Sequence, residues 1–132
     1  MKLKIEGTEY GLQWGMGAIE IYCDRMGCDV DGLDKAIFSD KEIEKQKAIT
    51  TLILAAIQNY CELHEIEFNL SYRKLQQYLS DAPQNTFNEI INDWKKTMYL
   101  GKTIGEWYFG EAPVDDPKKK SVLGKSSKSA TK

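Results

Sequence analysis

The sequence predicts a mainly α protein, with an N-terminal β-hairpin followed by a small helical bundle around one long central helix. Three observations carry that expectation. Residues 1–14 alternate with period two: Leu3 and Ile5 sit among Lys2, Lys4 and Glu6, and Tyr10, Leu12 and Trp14 are interleaved with Gly11 and Gln13. Residues 40–64 keep a 3.6-residue period through Ile49, Leu52, Ile53, Ala56, Ile57, Tyr60 and Leu63. A chain of 132 residues, 42% hydrophobic, has material for one core and falls short of two.

In chain order, Gly7-Thr8 marks the turn of the hairpin, whose apolar face needs a helical layer to pack on. A helix follows over Met16–Met26, with Ile19, Tyr22, Cys23 and Met26 on one face and Gly27 placed to end it in a left-handed cap. A weaker, short helix is expected within residues 29–38, after the Asp31-Gly32 turn, on Leu33, Ala36 and Ile37. The central helix opens with Ser39-Asp40-Lys41-Glu42, a capping box in which Ser39 accepts from the Glu42 amide and Glu42 reaches back. Leu54 and Ala55 lie off its main stripe, so the middle of this helix is apolar nearly all round and must be surrounded. The next helix starts near Ser71 on Tyr72, Leu75 and Leu79, with Leu70 placed to staple onto Leu75, and ends by Asp81-Ala82-Pro83. The last clear helix is predicted over residues 84–99 on Phe87, Ile90, Ile91, Trp94 and Met98, with Thr86-Phe87-Asn88-Glu89 as a second capping box and Gly101 as its stop. Residues 103–109 form a short aromatic segment. The globular domain is therefore placed at residues 1–110, and residues 111–132, rich in Lys and Ser, are expected to be a disordered tail.

Charge narrows the function. The tail holds six Lys against Glu111, Asp115 and Asp116, which leaves residues 1–110 with twelve basic and seventeen acidic side chains. An acidic body argues against nucleic-acid binding, which leaves a basic footprint. No apolar run approaches a membrane span, and the N-terminus has no stretch of secretory length, so a cytoplasmic location is expected, without membrane attachment.

The chemistry-bearing motifs are weak. The stretch from Gly11 to Gly17 has the wrong glycine spacing for a dinucleotide loop and lacks the lysine of a P-loop; it reads as a strand-to-helix corner that needs small residues. Asp29-Val30-Asp31-Gly32 carries its glycine at the wrong offset for a calcium loop. The single histidine, His64, excludes a multi-histidine metal site, and its polar neighbours at a helix C-terminus suit an exposed imidazole. Cys23, Cys28 and Cys61 read as reduced thiols; on one continuous helix, Cys23 and Cys28 would diverge by about 140° and could not converge on a metal. No catalytic residue, metal or cofactor is expected. Trp14 and Trp94 read as core. Trp107, Tyr108 and Phe109, beyond the last clear helix and beside the tail, are the candidate protein-binding residues, with Trp94 on the preceding helix, because interfaces favour Trp and Tyr.

The order of these features resembles the small tail assembly chaperones of long-tailed bacteriophages and prophages. The resemblance rests on the opening hairpin and on the corner Trp14-Gly15-Met16-Gly17-Ala18-Ile19-Glu20 leading into a helix closed by Met26-Gly27. It continues through the central helix with Leu52-Ile53-Leu54-Ala55-Ala56-Ile57, the late helix from Phe87 to Met98 and the lysine-bearing tail. It implies a non-enzymatic protein that binds the long, helical tape-measure protein and keeps it soluble while the tail tube assembles. It also implies that a longer form, made by frameshifting, recruits the tail-tube protein, with Lys118, Lys119 and Lys120 marking a plausible slip position. The alternative from another class is a small helical adaptor or regulatory protein-binding module.

Overall fold

The structure, a computed structural model, describes residues 1–112. The chain forms β1 (Lys2–Ile5), β2 (Thr8–Gly11), α1 (Met16–Met26), α2 (Val30–Ile37), α3 (Glu42–Leu63), α4 (Tyr72–Asp81), α5 (Gln84–Lys95), β3 (Met98–Tyr99), β4 (Lys102–Thr103) and α6 (Ile104–Phe109). It is mainly α with an N-terminal hairpin, as the alternation and the 3.6-residue periods predict. Of the expected tail, residues 111–112 are described, with Glu111 paired to Lys95, and residues 113–132, including Lys118, Lys119 and Lys120, lie outside the described residues.

β1 and β2 pair antiparallel with Ile5 opposite Thr8, so the loop is Glu6-Gly7, and both residues have positive φ (52° and 83°). That is the twist-matched two-residue turn that right-twisted strands favour. Leu3 and Ile5 are buried while Lys2 and Lys4 face solvent. The chain then clamps onto the central helix: the Gln13 amide donates to the Ala56 carbonyl at 3.0 Å, and Asn59 Nδ2 donates to the Gln13 carbonyl at 2.9 Å. Gly15, at φ 108° and ψ −157°, holds the corner into α1 in a conformation a side chain resists. Gly17 is required for a different reason, since a Cβ there would stand 2.5 Å from Asn59 Oδ1.

α3 is the axis of the fold. Ala48, the run Thr50 to Ile57, Asn59 and Cys61 are all buried. Leu54 and Ala55, off the main stripe, are as deeply buried as Leu52 and Ile53, because α1 and α2 pack on one side and α4 on another. Tyr60 is only half-buried, its ring lying across Gly11 and His64.

Several local expectations are corrected. The Ser39 capping box does not form: the Ser39 amide still bonds Ala36 in the last turn of α2, and its hydroxyl accepts from Lys41 N at 3.0 Å. α3 consequently starts at Glu42, with Lys41 as its cap. The Thr86 box is also unused, since α5 begins at Gln84 after Pro83; proline needs no amide there and pre-sets φ. The Ser71 cap does form, accepting from Lys74 N at 3.2 Å, with Leu70 and Leu75 both buried. α5 stops at Lys95, four residues earlier than predicted. Met98 and Tyr99 extend the helical stripe in sequence, but they pair instead with Lys102 and Thr103 around Leu100-Gly101, both at positive φ. The aromatic segment is a short helix, α6, opened by a capping box between Thr103 and Glu106.

Candidate functional site

One face of the bundle is left open. The N-terminal third of α3, α4, α5, the end of α2 and the end of α6 enclose a groove of about 830 Å3. Its apolar lining includes Ile37, Phe38, Ile43, Leu79, Ile91 and Phe109, with Trp94 at the base. Phe38 is 52% exposed and Ile43 68% exposed, so two large apolar side chains stand in water at the rim. Around them the rim is polar, with Gln46, Gln76, Gln77 and Ser80.

The groove opens because of where the capping occurs. α3 begins three residues after Ser39, and its first turns stay largely exposed before Ala48 enters the core. Phe38, the C-cap of α2, is carried to the mouth of the groove and meets Phe109 edge-on at 5.5 Å between centroids. Phe109 also makes an edge contact with Trp94 at 5.6 Å, and Trp94 leans on Trp14 at 6.2 Å. An aromatic seam thus runs from the hairpin exit to the open face. It is anchored at its inner end by Trp14 Nε1, which donates to Asp93 Oδ2 at 2.8 Å.

The four sequence candidates fall into different environments. Trp94 and Phe109 come together in the groove, the first buried and the second half-buried. Tyr108 stacks on Trp94, at 6.3 Å between centroids, without lining the groove. Its hydroxyl is pushed up to about 12 by burial, then by the nearby charges of Asp34, Tyr99 and Cys23. Trp107 lies outside the groove; its indole N–H donates to the Tyr99 carbonyl, and Lys102 Nζ sits 4.7 Å over its ring. Phe38 and Ile43 were not among the candidates. Their sequence neighbourhood does not mark them: Phe38 directly follows Ile37 at the end of a helical stripe, and Ile43 stands between Glu42 and Glu44.

The cysteine geometry departs from the single-helix expectation. Gly27 (φ 64°) ends α1 in a left-handed cap, and the Cys28 amide turns back to donate to the Cys23 carbonyl at 3.1 Å. This hydrogen bond brings the two side chains together as the contact that accompanies such caps. Burial, followed by the charge of Cys28, raises Cys23 to about 11. That environment disfavours a thiolate and fits packing. Cys61 is buried and raised by the same cause. His64 is exposed. Among the described residues, no group of three or more His, Cys, Asp and Glu side chains is arranged to hold a metal, and no helix is long and apolar enough to cross a membrane. No protein-family model, curated protein sequence or solved structure matches the chain.

Proposed function

We propose that this protein is a non-enzymatic chaperone of the tail-assembly kind, which holds a helical client in the groove between α3, α4, α5 and α6. The observation that supports this reading best is the groove itself, an 830 Å3 trough with Phe38 and Ile43 uncovered at its rim. An α-helix about 10 Å across rises about 5.4 Å per turn, so the trough has room for about two turns of a client helix. Adjacent large apolar side chains left in water are the usual mark of a protein-binding surface, and helix-in-groove recognition uses such a stripe with a polar rim.

The tape-measure protein is the client to which the element order of this chain points, and the tail-tube protein is a second partner of any extended form. The role is to shield exposed apolar stripes of a long helix from self-association, reversibly and without chemistry. The direct test is co-expression with the tape-measure protein of the same genome. The full chain should keep that client soluble, and Phe38→Ala/Ile43→Ala should lose this capacity while its helical CD signal stays unchanged. A client that remains insoluble with the wild-type chain would remove the reading.

A further inference from the structure

The groove lining has the opposite charge balance to the rest of the domain. Residues 1–110 carry twelve basic and seventeen acidic side chains. Among the side chains that line the groove the balance reverses, with Lys45 and Lys47 against Glu42. The separation is made on a single helix. Glu42, Glu44, Lys45 and Lys47 are interleaved along the first turns of α3, but Glu44 does not line the groove. Neither the Lys45 nor the Lys47 ammonium has an ion-pair or hydrogen-bond partner among the described residues. On α5, Asp93 is turned to Trp14. A third ammonium, Lys95 Nζ, lies 4.5 Å over the Phe109 ring, held there by Glu111 at 2.9 Å.

Building on the groove as the client site, we infer that its occupant is an amphipathic helix whose apolar stripe is flanked by Asp or Glu. The apolar floor supplies the burial, and two unpaired ammoniums at the rim select the sign of the flanks. A helix flanked by Lys or Arg would bring like charges together beside a poorly solvated surface. Exposed ion pairs are individually weak, so two of them, with the avoided repulsion, give about a tenfold preference at low salt.

The test uses the full chain and two labelled synthetic helices that share one Leu/Ile stripe, one with Glu flanks and one with Lys flanks, read by fluorescence anisotropy. The Glu-flanked peptide should bind about tenfold tighter, and the difference should shrink at about 0.5 M salt as screening shortens the range of the interaction. Lys45→Glu/Lys47→Glu should reverse the preference, and Lys45→Gln/Lys47→Gln should abolish it, with unchanged CD spectra in both. The lysines beyond residue 112 are untouched in these variants, so a preference that survives both substitutions belongs to them and overturns the inference. Equal binding of the two peptides to the wild type overturns it too, while leaving the groove as the client site. Binding of neither peptide removes the groove reading, and this inference with it.

Discussion

The two ends of α3 are built from the same kind of helix and meet opposite fates. From Ala48 to Cys61 it is enclosed, with Ala48, Leu54, Ala55, Ala56 and Ile57 at no more than 1% exposure. From Glu42 to Lys47 it is exposed except at the half-buried Lys45, and Ile43 is 68% exposed. The enclosed part is covered by the hairpin, α1, α2 and α4, whereas the exposed part faces a trough that α5 and α6 border without filling. Burial in this molecule therefore follows what is packed against a stretch of helix, and an apolar residue outside that coverage becomes binding surface.

The comparison can be broken most sharply at its enclosed end. Ile53→Ala removes a side chain that is 1% exposed and surrounded on every side. It should cost about 2–5 kcal/mol in chemical denaturation, since the packed neighbours relax only partly into the cavity. A loss below about 1 kcal/mol would mean that the enclosure is loose there. At the open end, Phe38→Ala/Ile43→Ala should behave in the opposite way, leaving stability within about 1 kcal/mol while costing the helical client about 2 kcal/mol, or about 30-fold in affinity. If the double variant unfolds instead, the open face is part of the core.

A smaller effect is expected where the hairpin exit meets α3. Gly17→Ala puts a methyl against the Asn59 amide and disturbs its 2.9 Å bond to the Gln13 carbonyl. The gain in helix propensity offsets part of that cost, so the net loss should be about 1 kcal/mol by denaturant titration. A more stable variant would show that Asn59 can swing away without penalty.

The last effect is absent at neutral pH: an alkaline pH dependence shared by the two regions. Tyr22 lies under the enclosed part and Tyr108 along the aromatic seam of the open part, and burial pushes both hydroxyls from 10.0 to about 12. Between those values the unfolded chain releases protons that the folded chain keeps. The stability is fully present below pH 10.0 and should fall as pH rises towards about 12. Tyr22→Phe and Tyr108→Phe should each flatten that fall in a series of thermal melts. An unchanged slope in both would place the titration elsewhere.

How far the sequence could be read followed how local each determinant was. The opening hairpin was legible because alternation and Gly7 act within a dozen residues. The second hairpin was not, because Met98 and Tyr99 continue a helical stripe and Leu100-Gly101 is a poor turn signal; the pairing of Met98 with Thr103 and Tyr99 with Lys102, and the 2.9 Å bond from Ile104 N to the Thr97 carbonyl, fold the chain back. Ser39 and Thr86 each fit a capping box and neither is used, because α2 has not released the chain at Ser39 and Pro83 starts α5 first. The contact of Cys23 with Cys28 was encoded in Gly27 but is invisible to an azimuth computed for an unbroken helix. For the site, Phe109 and Trp94 could be named from aromatic content, whereas Phe38 and Ile43 could not, since nothing within several residues of either says whether another helix will cover it.

The sequence by itself determined the opening hairpin, the run of helices, the central place of residues 48–61 and the acidic balance of the body, because periodicity and charge are carried by neighbours along the chain. Only the tertiary structure decided which apolar residues stay in water and which charges share a face with them. Those outcomes depend on the spacing between α3, α4, α5 and α6, which is set by side chains far apart in sequence packing to a common density. The groove, with Phe38 and Ile43 at its rim beside Lys45 and Lys47, is what that packing leaves uncovered.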